Sequence, residues 1–339
     1  MKNVVTLGID IAKNVFQLHG VDREGKVVLQ KRISRGKLAE FMDNLPSCLV
    51  GMEACGSSNY WALKFQSFGH TVKLMSPQYV KPYVKTNKND QRDAEAICEA
   101  VTRPTMRFVA IKSKDHQAIQ CVHRIRQRLV KSRTALSNQI RAFLGEYGII
   151  IPQGVPHVRA KLIPLLDLHE EDLTPRVIKS LKGLYEEMVF LDERIKEKDM
   201  EILDLCQETD VCKRLMTIRG IGPITASALV SSIGDINVFK NGRQLAAWLG
   251  LVPRQHSSGN KQVLLGITKR GDKYLRTLLI HGARSILSVK KNLSEFEESL
   301  IARRGIQKAC VATANRNVRI VWSIMTKGTE YKRDYRKTA

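Results

Sequence analysis

The sequence predicts an α/β amino-terminal domain followed by a helical connecting segment and a mainly α carboxy-terminal domain. Three observations carry that expectation. Short apolar runs separated by turn residues are concentrated in the first third, a long charged stretch of helical character follows, and the final third is largely helical and again basic. A chain of 339 residues is long enough for two or three domains, each with its own core. The expected divisions are 1–150, 151–208 and 209–339.

In order along the chain, residues 4–11 and 15–21 read as strands, and Asp22-Arg23-Glu24-Gly25 supplies a turn into a third strand beginning at Lys26. A helix around 35–45 leads to a strand ending at Glu53. Tyr60 to Phe68 reads as a helix stopped by Gly69, and Thr71–Met75 as a further strand. Three meandering strands followed by alternating helix and strand is the order of an RNase H-like core, although other α/β folds share it. Residues 110–147 read as one long basic helix. Lys112, Lys114, Arg124, Arg126, Arg128, Lys131, Arg133 and Arg141 accumulate there, with Asp115 the single acid before Glu146. Pro152, Gly154, Pro156 and Pro164 mark a break. From 181 to 205, Leu181, Leu184, Met188, Leu191, Ile195, Ile202 and Leu205 follow a/d spacing, with Lys198 interrupting. That stripe is either a coiled-coil oligomerisation element or a helix packed within its own domain.

The formal net charge is +23, which favours a polyanionic partner, with nucleic acid ahead of a membrane surface. Seven cysteines are scattered without a CxxC pair or zinc-ligand spacing, as expected in a reducing cytoplasm. Met1-Lys2-Asn3 runs directly into the first strand, and no run approaches bilayer-spanning length. The expected location is the bacterial cytosol, at the nucleoid, with no membrane partner.

Asp10 sits in the apolar run Val4–Ala12, and Glu53 ends another, Leu49-Val50-Gly51-Met52. A carboxylate in or beside a buried strand costs several kcal/mol unless something compensates it. Asp90 and Asp93 lie three apart, so on a helix they share one face and can reach one metal pair. Four converging acids would repel one another without divalent cations among them, the electrostatics of a two-metal phosphoryl-transfer site. The plain alternative for Asp90, Asp93 and Glu95 is an acidic helix start.

Two further motifs follow. Leu215–Ala226 contains Gly220-Ile221-Gly222 between helical patterns, as in a helix-hairpin-helix whose backbone N–H groups approach a DNA phosphate without reading sequence. A tight turn with no ligand is the alternative. Then come Leu245–Arg254, Gln255-His256-Ser257-Ser258-Gly259-Asn260-Lys261 and Gly266–Asp272. A serine in this loop, amid Arg254, Lys261, Lys269 and Arg270, could attack a phosphodiester, although Ser-Ser-Gly is also ordinary loop chemistry.

Taken together and in order, Gly8-Ile9-Asp10, Glu53, Asp90-Gln91-Arg92-Asp93-Ala94, Gly220-Ile221-Gly222 and the Gly250-to-Asp272 block resemble transposases of the insertion-sequence-110 family. Piv-type DNA invertases belong to the same group. The resemblance covers nearly the whole chain. It implies a resolvase-like RNase H domain whose DEDD tetrad falls on Asp10, Glu53, Asp90 and Asp93 and holds magnesium, as two ions, or manganese. It also implies a nucleophile on the serine before Gly259, namely Ser258, with adjacent Ser257 one position away. Members typically have Gly-Gly or Gly-acid after that serine, where this chain has Gly259-Asn260, so the loop geometry departs from the family pattern. The implied partners are donor and target DNA, a non-coding bridge RNA that pairs with both, and further copies of the chain in a dimer or tetramer. The implied activity is strand cutting and rejoining. The enzymatic alternative is a Holliday-junction resolvase-like, metal-dependent nuclease with no covalent intermediate. A non-catalytic scaffold is the third reading, against which the four intact acids stand.

Overall fold

The computed structural model describes residues 3–85, 90–259, 261–289 and 293–331, and the side chains of Asp90 and Lys261 lie outside that description. The chain divides into two compact units: Met1–Asp115 with Ile233–Val238, and His116–Ser232 with Phe239–Ala339.

The first unit is built on a six-stranded sheet ordered β3-β2-β1-β4-β5-β6. β1 (Thr6–Ile11), β2 (Val15–Val21) and β3 (Val27–Ser34) form the expected antiparallel meander. The Asp22 carboxylate accepts the N–H groups of Glu24 and Lys26 at 3.0 and 2.9 Å, which folds the turn before β3. β4 (Leu49–Glu53) and β5 (Thr71–Met75) then add in parallel to β1. β6 (Phe108–Val109) closes the edge antiparallel to β5. Two residues carry no readable period, so this strand was not expected from the sequence.

One face of the sheet carries Leu7, Ile9, Phe16, Leu18, Val50 and Met52. It packs on α1 (Arg35–Asp43) and α2 (Ser58–Ser67), with Trp61 edge-on to Phe16 at 5.3 Å. Each fully buried side chain of this kind contributes about 2 kcal/mol. After β5 comes the single turn α3 (Pro77–Val80), and the other face of the sheet carries Gly8 and Gly51, which pair across β1 and β4, with α4 (Asp90–Val101) against it. A Cβ on Gly8 would collide with the Ala94 carbonyl and stand 2.5 Å from the Cys98 amide. On Gly51 it would stand 2.8 Å from Val101 Cβ. Backbone-to-backbone approach is therefore what seats α4 on the sheet.

The second unit is almost wholly helical. α5 (Lys114–Gly145), α6 (Val155–Leu168) and α7 (Pro175–Glu208) share one apolar core. The break before α6 is shorter than the prolines suggest, since Pro156 lies in its first turn and Pro164 inside it. Leu181, Met188, Leu191 and Ile195 of the heptad stripe are buried against Leu129, Leu136 and Ile140 of α5 and Val158 and Leu162 of α6. Arg126 pairs with Asp199, and Arg133 with Asp192 at 2.6 Å. The partners step seven residues forward on α5 and seven back on α7, so the two helices run antiparallel. The stripe is satisfied inside the chain, which removes these residues from the oligomerisation role the heptads suggested.

Beyond α7 come α8 (Asp210–Met216), α9 (Pro223–Ile233) and α10 (Gly242–Trp248). A two-stranded hairpin of β7 (Pro253–Ser258) and β8 (Lys261–Ile267) follows. The unit ends in α11 (Lys273–Ser288), α12 (Glu295–Arg304) and α13 (Ile306–Lys327). The hairpin corrects the expectation of a plain loop around the serines.

Candidate functional site

The acid residues of the first unit are placed by the sheet and by α4. Asp10 follows Gly8 by two positions in β1, and Glu53 follows Gly51 by two in β4, so all four side-chain positions project to the α4 face. Continuing the register from Ile9↔Met52 sets Asp10 beside Glu53 at the carboxyl ends of two parallel strands. Cys98 of α4 reaches the Thr6 carbonyl at 3.6 Å, and Ala94 lies against Gly8. α4 therefore runs antiparallel to β1, and one turn further back its start, with Asp90 and Asp93, comes to the Asp10 end. The Asp10, Glu53 and Asp93 side chains are all half-buried.

A neighbouring thiol registers the charge collected there. Burial raises the Cys55 pKa first, and the nearby carboxylates of Glu53 and Asp10 raise it further. Glu95 is drawn elsewhere: Lys85 bridges Glu95 and Glu99 at 3.2 and 3.6 Å. His19, opposite Gly8 on β2, is buried and its pKa is lowered by desolvation, with Glu95 opposing. Among the described residues no group of three or more His, Cys, Asp or Glu converges as a ready-made metal centre.

In the second unit, Ser257 and Ser258 stand at the tip of the β7–β8 hairpin, paired with Gln262 and Lys261. Every residue of β7 is exposed. Adjacent strand residues point to opposite faces, so the two hydroxyls diverge. Gln255 Nε2 donates to Ser257 Oγ at 2.9 Å, whereas among the described residues nothing hydrogen-bonds the Ser258 hydroxyl. The hairpin's base is fixed. Thr268 N–H donates to the Val252 carbonyl at 2.9 Å, and Lys269 N–H to that of Gly250 at 3.2 Å. Buried Arg276 donates to the carbonyls of Leu249 and Arg270 at 3.1 and 2.9 Å. That arginine escaped sequence reading, because nothing in an isolated helical arginine shows that it turns inward onto carbonyls. Arg254, Lys269 and Arg270 are exposed, and Lys269 has a left-handed φ of 54°.

The Gly220-Ile221-Gly222 turn does join two helices, α8 and α9. Its packing is set by Gly220, at φ 79°, where a Cβ would stand 2.6 Å from the Gly282 carbonyl of α11. Asn317 holds the turn from the other side, donating to the Arg219 carbonyl at 2.9 Å. A Cβ on Gly222 would meet nothing within 4 Å, so the turn is open there. The Gly222 carbonyl accepts from Thr225 and Ala226 at 3.0 and 2.9 Å, starting α9.

Beneath α9, buried His123 of α5 joins three helices. Its Nε2 contacts Ser227 Oγ at 3.0 Å and its Nδ1 contacts the Tyr274 hydroxyl at 3.1 Å. Ser227 already donates to the Pro223 carbonyl at 2.8 Å, so Nε2 must donate to Ser227 and Nδ1 accept from Tyr274. Desolvation, reinforced by Arg126 and Arg124, lowers the His123 pKa to about 4 and keeps the ring neutral.

The basic residues of α5 divide into two groups. Arg126 and Arg133 are committed to Asp199 and Asp192 of α7, with Arg159 also on Asp192. The acids that balance them lie some 60 residues and more away along the chain, so the pairing was not visible in the sequence. Arg124, Arg128 and Lys131 are exposed, and Arg124 lies 3.6 Å from the Asp272 carboxylate that caps α11.

Residues 7–149 match a family model described as a transposase, DEDD_Tnp_IS110. Residues 212–298 match the model described as transposase IS116/IS110/IS902 family. A probable family 20 transposase of Pseudomonas aeruginosa is 46% identical over 97% of this chain and 99% of its own. The transposase for insertion sequence element IS1111A of Coxiella burnetii is 46% identical over 98% of this chain and 92% of its own. The pilin gene-inverting protein of Moraxella bovis is 24% identical over 80% of each. Among the described residues no helix is long and apolar enough to cross a membrane. With both family models matched in sequence order and near-full-length relatives at this identity, the chain belongs to the IS110 family of transposases.

Proposed function

We propose that this transposase cuts and rejoins the DNA strands of an insertion sequence through a covalent serine intermediate, directed by a bridge RNA. The observation that carries the reading is the placement of Ser258: it ends an exposed strand at a hairpin tip, with its hydroxyl uncommitted among the described residues and a basic loop held against the hairpin base. Ser258 Oγ gives up its proton and attacks the scissile phosphorus to form a P–O bond, the bond to the leaving deoxyribose oxygen breaks, and that oxygen takes up a proton in turn. A strand hydroxyl then attacks the phosphoserine and releases the enzyme. Arg254, Lys261, Lys269 and Arg270 are the cations proposed to stabilise the charge that develops on phosphorus oxygens. The open Gly222 turn and the exposed Arg124, Arg128 and Lys131 are proposed to hold DNA or RNA backbone.

Asp10, Glu53, Asp90 and Asp93 would hold magnesium, or manganese. The hard carboxylate donors at the strand ends suit such ions, which would supply neutralisation of phosphate charge. Strand exchange requires several cleavages and therefore a homo-oligomer, a dimer or tetramer, assembled through surfaces other than the buried heptad stripe. The domain divisions proposed from sequence, 1–150, 151–208 and 209–339, follow these roles: acids, connecting helices, and the turn with its serine hairpin.

The test is strand cleavage of an insertion-sequence substrate, with the element's transcribed RNA supplied and magnesium present. Asp10→Asn is expected to lower cleavage by at least a hundredfold, on the order expected for loss of a metal ligand or charge stabiliser, with DNA binding retained. Full cleavage by Asp10→Asn would remove the acids from the chemistry.

A further inference from the structure

The sheet face of the serine hairpin is not covered. In the second unit, β8 and α13 border an open groove of about 1740 Å³ that the proposed chemistry leaves unused. Leu264 and Leu265 are 67% and 47% exposed there, and Phe296 43%. An isolated two-stranded hairpin is marginal in water, and exposed apolar side chains gathered in one groove mark a binding surface more often than scattered ones do.

The charge of this groove selects its occupant. Lys308, Arg316, Arg319 and Lys327 recur on one side of α13 at helical spacing, while α13 itself contains no acidic residue. From Pro253 to Gly271 there is none either, and Glu330 is the single acid among the lining residues. The Arg316 guanidinium lies 5.0 Å from the Phe296 ring centroid, a cation laid over an aromatic face at the groove wall. From Lys308 to Lys327 the stripe extends about 28 Å at helical rise, enough for several nucleotides. An apolar floor with a cationic edge fits unpaired bases and their phosphates. A duplex would present only its charged backbone, and another basic protein surface would be repelled. The groove is also continuous with the hairpin whose tip carries Ser258.

We propose that this groove binds single-stranded DNA, the segment unpaired next to the cleavage point. Its bases pack on Leu264, Leu265 and Phe296, and its phosphates pair with Lys308, Arg319 and Lys327. The assignment of that segment rests on Ser258 as the nucleophile.

Fluorescence anisotropy of the full chain with a labelled oligothymidine tests this, against oligouridine of equal length and a short DNA duplex. A triple variant, Lys308→Ala with Arg319→Ala and Lys327→Ala, is expected to weaken oligothymidine binding by at least about tenfold. It should also flatten the logarithmic salt dependence by about 0.7 for each phosphate that is no longer neutralised. Leu264→Ser with Leu265→Ser is expected to weaken binding by about tenfold because the bases no longer pack there, leaving the salt slope unchanged. Circular dichroism and melting of both variants should match the parent. Unchanged binding, an equal loss for the duplex, or tighter and more sensitive binding of oligouridine would overturn the proposal. So would a change in the size of the DNA-free protein in the leucine variant without a change in binding, since that result assigns the groove to a second copy. Ser258→Ala should bind oligothymidine as the parent does. If it still forms the protein–DNA adduct, the nucleophile assignment falls while the groove measurement stands.

Discussion

The acid site and the serine site are built in opposite ways. Asp10 and Glu53 lie at the carboxyl ends of strands whose neighbouring residues, Leu7, Ile9, Val50 and Met52, are fully buried, and the helix beside them is seated by glycine contacts. Ser258 ends a strand in which every residue is exposed, on a hairpin whose base is anchored by backbone hydrogen bonds. Carboxylates that hold a metal, as proposed, would need a fixed geometry, and a packed sheet supplies that rigidity. In the proposed reaction the serine would have to reach a phosphodiester and leave it again, which an uncovered hairpin suits. Substitutions in the packing that surrounds the acids should therefore act through stability, whereas those on the hairpin should leave the fold intact.

Gly8→Ala should produce the largest effect on the folded state. The added methyl meets the backbone of Ala94 and Cys98, neither of which can move without displacing α4. A cost of about 4 kcal/mol, at the severe end for single substitutions, is expected. Hydrogen exchange should accelerate in peptides from β1 and α4 and stay slow in α5 and α7. Wild-type protection of β1 in this variant would contradict the close seating of α4.

How far each region was legible follows the same contrast. β1, β2, β4 and β5 were readable because buried strands advertise themselves as apolar runs, and the acids stood out against that background. β7 was not, since Pro253 to Ser258 has no apolar alternation. The available signal was Gly259-Asn260, a two-residue turn between two short runs. The heptad stripe was readable as a stripe, but its partner was not: a/d spacing is the same whether the facing helix belongs to this chain or another. Arg126 and Arg133 looked like free cations for a related reason, because Asp199 and Asp192 meet them only after the chain has turned back.

A smaller effect is expected at His123, within the second unit's own core. The unfolded chain takes up a proton below the ordinary pKa of 6.5, whereas the folded ring resists until about 4. Its contribution is therefore fully present above pH 6.5 and is lost as pH falls toward 4, by about 2–4 kcal/mol. His123→Asn should be less stable than the parent at pH 7 and show a flatter decline between pH 6.5 and 4 when melting is followed against pH. Parallel curves for the two proteins would mean that His123 ionises freely in the fold.

The covalent role of Ser258 is tested most directly by mapping the adduct. DNA cleavage is quenched with denaturant, the DNA is trimmed with nuclease, and the protein is digested with trypsin, which cuts after Arg254 and Lys261 and isolates residues 255–261. Tandem mass spectrometry should find a phosphonucleotide on Ser258 of that peptide, absent in Ser258→Ala and retained in Ser257→Ala. Cut DNA accumulating with no nucleotide on any serine, at the same rate in Ser258→Ala, would contradict it and leave water, activated at the acid site, as the nucleophile.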